Sequence, residues 1–249
     1  SQDLFVSEAL KRLGPLVQQA ALLAAQYDAV VMNPPYMGSN GMNAPLKKFA
    51  KDYFADSKSD LFSCFIERGC GLAKHVGRNA MVTMQSWMFL ASFEKMRERT
   101  LREKSICTMA HLGARAFGSI SGEVVQTAAF VLQNLSCPGF RPVFFRLLDG
   151  GEKQKRTALA ASQNRFDSVE QQGFQMIPGS PLAYWASPPL VQTFEKNPSL
   201  SEKFATAQGM KTLDNERFVR EWSEVPANHL GGITSHGCEE ATWFPVNHG

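Results

Sequence analysis

The segment Tyr27-Asp28-Ala29-Val30-Val31-Met32-Asn33-Pro34-Pro35-Tyr36 decides how the rest of the chain is read. Val30, Val31 and Met32 form a short apolar, mostly β-branched run, the composition of a buried strand. The two prolines after Asn33 lack the backbone donors a ladder needs, so the strand has to stop there. Upstream, residues 10–26 carry Leu, Ala and Gln at helical spacing. Helix, buried strand and abrupt polar loop is the order found in a parallel α/β sheet, where ligands collect beyond the carboxyl ends of strands. Asn33, Pro34, Pro35 and Tyr36 are therefore expected on a functional edge.

Downstream, the pattern predicts a long loop or lid over residues 37–58, with a short helix bearing Lys47, Lys48 and Lys51. An amphipathic helix over 60–74, with Phe62 and Ile66 inward, is expected to end at Gly77 and lead into a buried strand over 79–84. Residues 87–104 read as a helix with Leu90, Phe93, Met96 and Leu101 inward and Lys95, Arg97, Arg99, Arg102 and Lys104 outward. Strands over 106–112 and 124–132 follow each other with no helix between, which fits an antiparallel pair at the edge of an otherwise parallel sheet. A strand over 142–147, a charged helix over 151–162 and a helix over 190–196 complete the reading, with the prolines between 177 and 189 marking a boundary.

Composition narrows the class. The 249 residues are 44% hydrophobic and 20% charged, with a net charge of +3, and no apolar run approaches the roughly 18 residues of a membrane span. The mild charge makes any basic surface a local matter. Cys64, Cys70, Cys107, Cys137 and Cys238 are odd in number and show no Cys-x-x-Cys pairing, which argues against a disulfide framework and a zinc knuckle and points to a reducing cytoplasm. His229, His236, Cys238 and Glu239 are the one metal-like grouping, and their spacing fits no zinc template.

Asn-Pro-Pro-Tyr at the end of a parallel strand resembles the catalytic tetrapeptide of the amino-methyltransferases: Asp, Asn or Ser, then two prolines, then an aromatic residue. The lone pair of an exocyclic amino group such as adenine N6 is delocalised into the ring. An amide oxygen (Asn33) and a backbone carbonyl (Pro34) that both accept its hydrogens draw the nitrogen toward a tetrahedral state, and the prolines fix those acceptors in place. Tyr36 would stack on a base flipped out of the duplex. The plainer reading of the tetrapeptide is a strand-ending turn with a packed tyrosine. Its flanks favour chemistry: Asp28 before the apolar run, Asp60-Leu61-Phe62 opening a helix, and the block from Gly77 to Phe89 fall in the order of successive methyltransferase motifs.

The resemblance extends to a particular family. Met37-Gly-Ser-x-Gly-Met-Asn43, Asp56-Ser-Lys-Ser-Asp-Leu-Phe62, Gln85-Ser-Trp-Met-Phe-Leu-x-Ser-Phe-Glu94, Ala110-His-Leu-Gly-Ala-Arg-Ala-Phe117, Gly122-Glu-Val-Val-Gln-Thr-Ala-Ala-Phe-Val-Leu132 and Ile177-Pro-Gly-Ser-Pro-x-Ala-Tyr-Trp185 are similar to adenine-specific methyltransferases of bacteriophage-exclusion (BREX) systems, the PglX type. That likeness implies a Rossmann-like α/β methyltransferase sheet, mainly parallel with antiparallel edge strands. It also implies S-adenosylmethionine as cofactor, double-stranded DNA and other phage-defence proteins as partners, no membrane, and self-marking methylation as the activity. Residues 1–150 would be the catalytic half, 151–199 a linker with connecting helices, and 200–249 the start of a target-recognition domain.

Within that resemblance Phe117 matches the region of a second aromatic against the flipped base, the alternative being a packed loop residue. Asp60 matches a position near the cofactor, although an acid at a helix start also caps it. Lys47, Lys48, Lys51 and Lys58 are candidate phosphate contacts, or a solvated face. Gly209, Thr212, Asn215 and Phe218 match the entry to the recognition domain, making Thr212 and Asn215 candidate DNA contacts, whereas Leu213 departs from its glycine. The family's cofactor loop, Asp-Pro-x-x-Gly-x-Gly, is not found: Gly69-Cys70-Gly71 lies inside an amphipathic helix. The expectation is a piece of a longer protein. A protein-glutamine methyltransferase and a non-catalytic DNA-recognition fragment are the alternatives.

Overall fold

Residues 4–117, 125–204 and 219–225 are described by the computed structural model, and the chain divides into two units, residues 1–198 and 199–249. In the first unit, α1 (Leu4–Ala24) leads into β1 (Tyr27–Met32), followed by α2 (Ala44–Tyr53), α3 (Leu61–Leu72) and β2 (Ala73–Met84). Then come α4 (Glu94–Glu103), β3 (Ser105–Gly113), β4 (Thr127–Gln133), β5 (Val143–Arg146), α5 (Glu152–Ala160), the short β6 (Arg165–Phe166) and α6 (Pro188–Lys196). The second unit contains α7 (Leu200–Lys203).

The mixed α/β architecture agrees with the sequence reading. Six strands form one sheet in the order β1-β2-β4-β3-β5-β6. β1 and β2 are parallel, as are β3 and β5, while β4 is antiparallel to both neighbours and β6 to β5. Four strands thus run one way, and the reversed strand β4 sits inside the sheet, because β3, β5 and β6 continue beyond it. The carboxyl ends of β1, β2, β3 and β5 and the amino end of β4 share one edge.

Strand alternation sorts the side chains onto two faces. One face, carrying Met81, Ile106, Met109, Phe130, Leu132 and Phe144, is covered by Phe62 and Ile66 of α3, Met96 and Leu101 of α4, and Trp87, Phe174, Leu182 and Tyr184. Complete burial of side chains such as Phe62, Ile66 and Phe144 contributes about 1.5–3 kcal/mol each. The opposite face is an open apolar groove lined by Val31, Ala80, Val82, Ala129, Val131 and Phe145, and Val31 is 77% exposed. Helix α1 likewise leaves Leu10, Leu13 and Val17 exposed.

Several boundaries differ from the sequence reading. α3 ends at Leu72, and Gly77 lies inside β2, where the register against β1 shifts between Tyr27 and Ala29. Val76 takes φ 63° there, and a Cβ on Gly77 would stand 3.0 Å from the Tyr27 carbonyl, so glycine serves a close backbone approach and not a helix end. The predicted helix over 87–104 begins only at Glu94, after two 3₁₀ turns. Leu90 is exposed and Arg97 is buried, the reverse of the expectation. Arg97 donates to the carbonyls of Trp87, Leu90, Gly179 and Ser180, acceptors that replace the water it gives up. Residues 151–199, read as linker and connecting helices, supply β6 and bury Phe174, Leu182 and Tyr184 in the core. Among the described residues no helix is long and apolar enough to cross a membrane.

Candidate active site

β1 delivers Asn33 to the carboxyl edge of the sheet as its sequence requires: the ladder with β2 runs to Met32↔Met81 and the prolines take over. Asn33 and Pro35 are exposed, Pro34 is buried and Tyr36 is half-buried. The Tyr36 hydroxyl lies 3.2 Å from Asn33 Oδ1 and 3.2 Å from the Val82 carbonyl of β2. Its ring meets Phe62 edge-on, centroids 6.1 Å apart. Burial raises the phenol above its usual range, so Tyr36 is a neutral donor facing two acceptors with one hydrogen.

The excursion after Tyr36 is tied at its base. Met37 N donates to Asp60 Oδ1 (3.0 Å), Ser39 N to the Ser59 carbonyl (2.9 Å) and Leu61 N to the Met37 carbonyl (2.9 Å). Between these ties α2, capped by Asn43, packs Leu46 and Ala50, with Met42 just before it, against Cys64 and Leu61. The expected lid is therefore a compact knob with its own apolar cluster. Lys47, Lys48, Lys51 and Lys58 are all exposed, with Lys48 paired to Asp52 at 2.6 Å. Asp60 Oδ1 also accepts from Phe62 N at 3.3 Å, so its carboxylate caps α3 while holding the Met37 loop.

Phe117, 36% exposed, lies just beyond β3, whose direction matches β1, and so belongs to the same edge with β2 and β4 between. Thr212, Asn215, Gly209, Phe218 and the His229, His236, Cys238 and Glu239 grouping lie outside the described residues. Among the described residues no group of three or more His, Cys, Asp or Glu could hold a metal.

Sequence reasoning missed a polar and aromatic cluster on this edge. His111, near the end of β3, is 4% exposed; its Nδ1 lies 2.9 Å from the Tyr184 hydroxyl and its Nε2 2.7 Å from Gln85 Oε1. Because Gln85 Oε1 only accepts, the proton belongs on Nε2, and Tyr184 donates to Nδ1. Burial, then the charges of Arg146 and Lys155, lower the imidazole from 6.5 to about 4. Lys155 of α5 donates to the carbonyls of Leu112, Leu147 and Leu148 (2.6, 2.6 and 2.9 Å), stapling the ends of β3 and β5. One signal for Arg97 was available: Phe93, Met96, Arg97, Thr100 and Leu101 form one helical stripe, and all five are buried.

The chain is similar to known proteins along most of its length. Residues 8–117, which include Asn33 to Tyr36, match the family model described as the Eco57I restriction-modification methylase. Over 99% of its length the chain is 48% identical to the adenine-specific methyltransferase BrxX of Escherichia coli O9:H4 (strain HS). Over 94% it is 43% identical to the adenine-specific methyltransferase PglX of Lacticaseibacillus casei (strain Zhang). The resemblance read from the sequence thus holds: the chain is a relative of these adenine-specific methyltransferases. It spans about a fifth of the length of either relative, 20% in each case. Among solved structures, a type I restriction-modification assembly matches 72% of this chain and 41% of its own, at 17% identity and a TM-score of 0.49.

Proposed function

We propose that this chain holds the base-orienting part of an S-adenosylmethionine-dependent DNA methyltransferase that modifies adenine N6. Its setting would be phage defence or restriction-modification in the cytoplasm, beside other defence proteins. The observation that carries the reading is the exposed Asn33 amide at the end of β1, whose Oδ1 lies within hydrogen-bond reach of the Tyr36 hydroxyl. A hydroxyl donor there marks the place an amino hydrogen of a flipped adenine would take. With Oδ1 accepting one hydrogen and the Pro34 carbonyl the other, N6 is held with its lone pair freed from the ring, and the Tyr36 ring bears on the base. The acceptors sit on a strand end fixed by two prolines, so little has to reorganise. Phe117 and the exposed Lys47, Lys51 and Lys58 are proposed as base and phosphate contacts from the same edge and its knob.

The methyl donor fits these residues only in part. Gly69 and Gly71 are helical residues of α3 and make no turn between strand and helix, so the described residues contain no glycine cradle for the adenosine moiety. Asp60, proposed from the family resemblance to lie near the donor, already spends Oδ1 on two backbone donors.

Asn33→Ala in the full-length protein tests the reading. Loss of one oriented hydrogen-bond partner at a reacting group costs roughly 100-fold or more in turnover, while duplex affinity, carried mostly by phosphate contacts, stays within about twofold. Unchanged N6-methyladenine formation overturns the assignment.

A further inference from the structure

Trp185 is 42% exposed, yet everything beneath it is fixed. Tyr184, its neighbour in the chain, is 1% exposed, stacks face to face on Phe144 at 4.5 Å and 3° and donates to His111. Phe89 and His111 pack against the indole at 5.6 and 6.4 Å. The segment that delivers it is anchored twice: Arg97 grips the carbonyls of Gly179 and Ser180, and Leu182 N donates to the Met88 carbonyl at 3.0 Å. An indole held out from so rigid a seat loses little conformational freedom when something stacks on it.

The surroundings select the partner. The Arg146 guanidinium lies 5.6 Å from the indole centroid. The charges of Arg146 and Lys155 reach His111, and those of Arg115 and Asp149, of opposite sign, reach Lys155. The cluster is on the carboxyl edge, because His111 bonds Gln85, the residue following β2, and β2 flanks the end of β1 where Asn33 stands. Exposed aromatic surface set among cations at the rim of the site is the chemistry that takes a nucleobase by stacking and its phosphate by charge.

We propose that Trp185 and Arg146 form a second nucleobase-binding surface on this edge, receiving an unpaired base of the DNA other than the one oriented by Asn33 and Tyr36. The proposal rests on the reading of the chain as a DNA methyltransferase. Taking one base out of a duplex strips its partner and neighbours of stacking, and an indole at the rim restores it.

The test measures binding of the full-length protein to a labelled duplex carrying one mismatch, and to a matched abasic strand of sugar and phosphate alone. Trp185→Ala weakens mismatch-duplex binding about tenfold, within the range for loss of one stacked base, and leaves abasic-strand binding unchanged. Trp185→Phe, which keeps a ring against Tyr184 and Phe89, stays within about threefold. Arg146→Ala weakens both probes and flattens the salt dependence. Equal mismatch-duplex binding by wild type and Trp185→Ala overturns the proposal, as does equal weakening on both probes by a Trp185→Ala protein that melts like wild type. Preference for an acidic peptide over DNA at this surface overturns it too. A wild type that methylates DNA while Trp185→Ala binds normally removes this inference alone; a wild type that binds no DNA removes the methyltransferase reading as well.

Discussion

The Tyr36 hydroxyl lies at the same distance, 3.2 Å, from the amide oxygen of Asn33 and from the carbonyl of Val82. With a single hydrogen to give, it can turn from one to the other without moving its ring. Tyr36 therefore occupies the Asn33 acceptor when no base is present and has Val82 to retire to when an amino group arrives. Tyr36→Phe, which removes only the hydroxyl, should keep methylation within about threefold. Tyr36→Ala, which removes the stacking surface, should lose roughly 10- to 100-fold in kcat/KM. Equal losses in the two variants would place the hydroxyl, not the ring, at the centre of the role.

Asp60 separates helix capping from ligand binding. Asp60→Ala removes the side-chain acceptor of Met37 N and Phe62 N and should cost about 1 kcal/mol, roughly 2–4 °C in Tm. Asp60→Asn keeps an acceptor oxygen and should melt within about 1 °C of wild type. If Asp60→Asn is stable yet loses affinity for S-adenosylmethionine in calorimetry, the charge serves the donor as well as the helix.

Two glycines of α3 should respond in opposite directions. A Cβ on Gly69 would stand 2.8 Å from the amide of Asn79, with Met81 also in its way, whereas one on Gly71 meets nothing within 4 Å. Gly69→Ala should destabilise by about 1–3 kcal/mol by pushing aside the buried Asn79 amide, which donates to the Ile66 carbonyl, and the Met81 side chain. Gly71→Ala should stabilise by about 0.5–1 kcal/mol through helix propensity. Urea denaturation of both variants decides it; a stable Gly69→Ala would mean that the Asn79 and Met81 side chains can move aside without cost.

His111 gives the stability a pH dependence. Its folded value is lowered to about 4 from 6.5, so between those values the unfolded chain binds a proton that the folded one refuses. The folded state is therefore favoured above about pH 6.5, and that advantage is lost as pH falls toward 4, a span on the order of 3 kcal/mol. Protonation would also deprive Tyr184 of its acceptor. Thermal melts between pH 4.5 and 7.5 should show wild-type Tm falling more steeply on acidification than that of His111→Gln, and parallel curves would refute the buried neutral imidazole.

What the sequence revealed was whatever depends on neighbours in the chain. β1 and its abrupt end were legible because two prolines forbid anything else, and Phe62 and Ile66 because a helical stripe is a local pattern. Arg97 was misread because its acceptors at Gly179 and Ser180 are 82 and 83 positions away, and an arginine is normally safest in water. The segment 177–185 was read as a boundary because prolines and glycine also mark linkers; only the pocket formed by Phe144, His111 and Phe174 makes Tyr184 a core residue. The cluster around Trp185 escaped for the same reason, being assembled from the segment after β2, from β3 and β5, and from a distant strap.

The reversal of β4 has a consequence for how such a sequence can change over time. Gly113, where β3 ends, and Thr127, where β4 begins, are partners across the same ladder, so the chain between them leaves and re-enters the sheet at one point. Residues added there lengthen a connection whose two ends stay paired across the ladder; doubling such a loop costs only about 0.6 kcal/mol. The length of that connection is thus free to drift while the pairing of β3 with β4 stays constant.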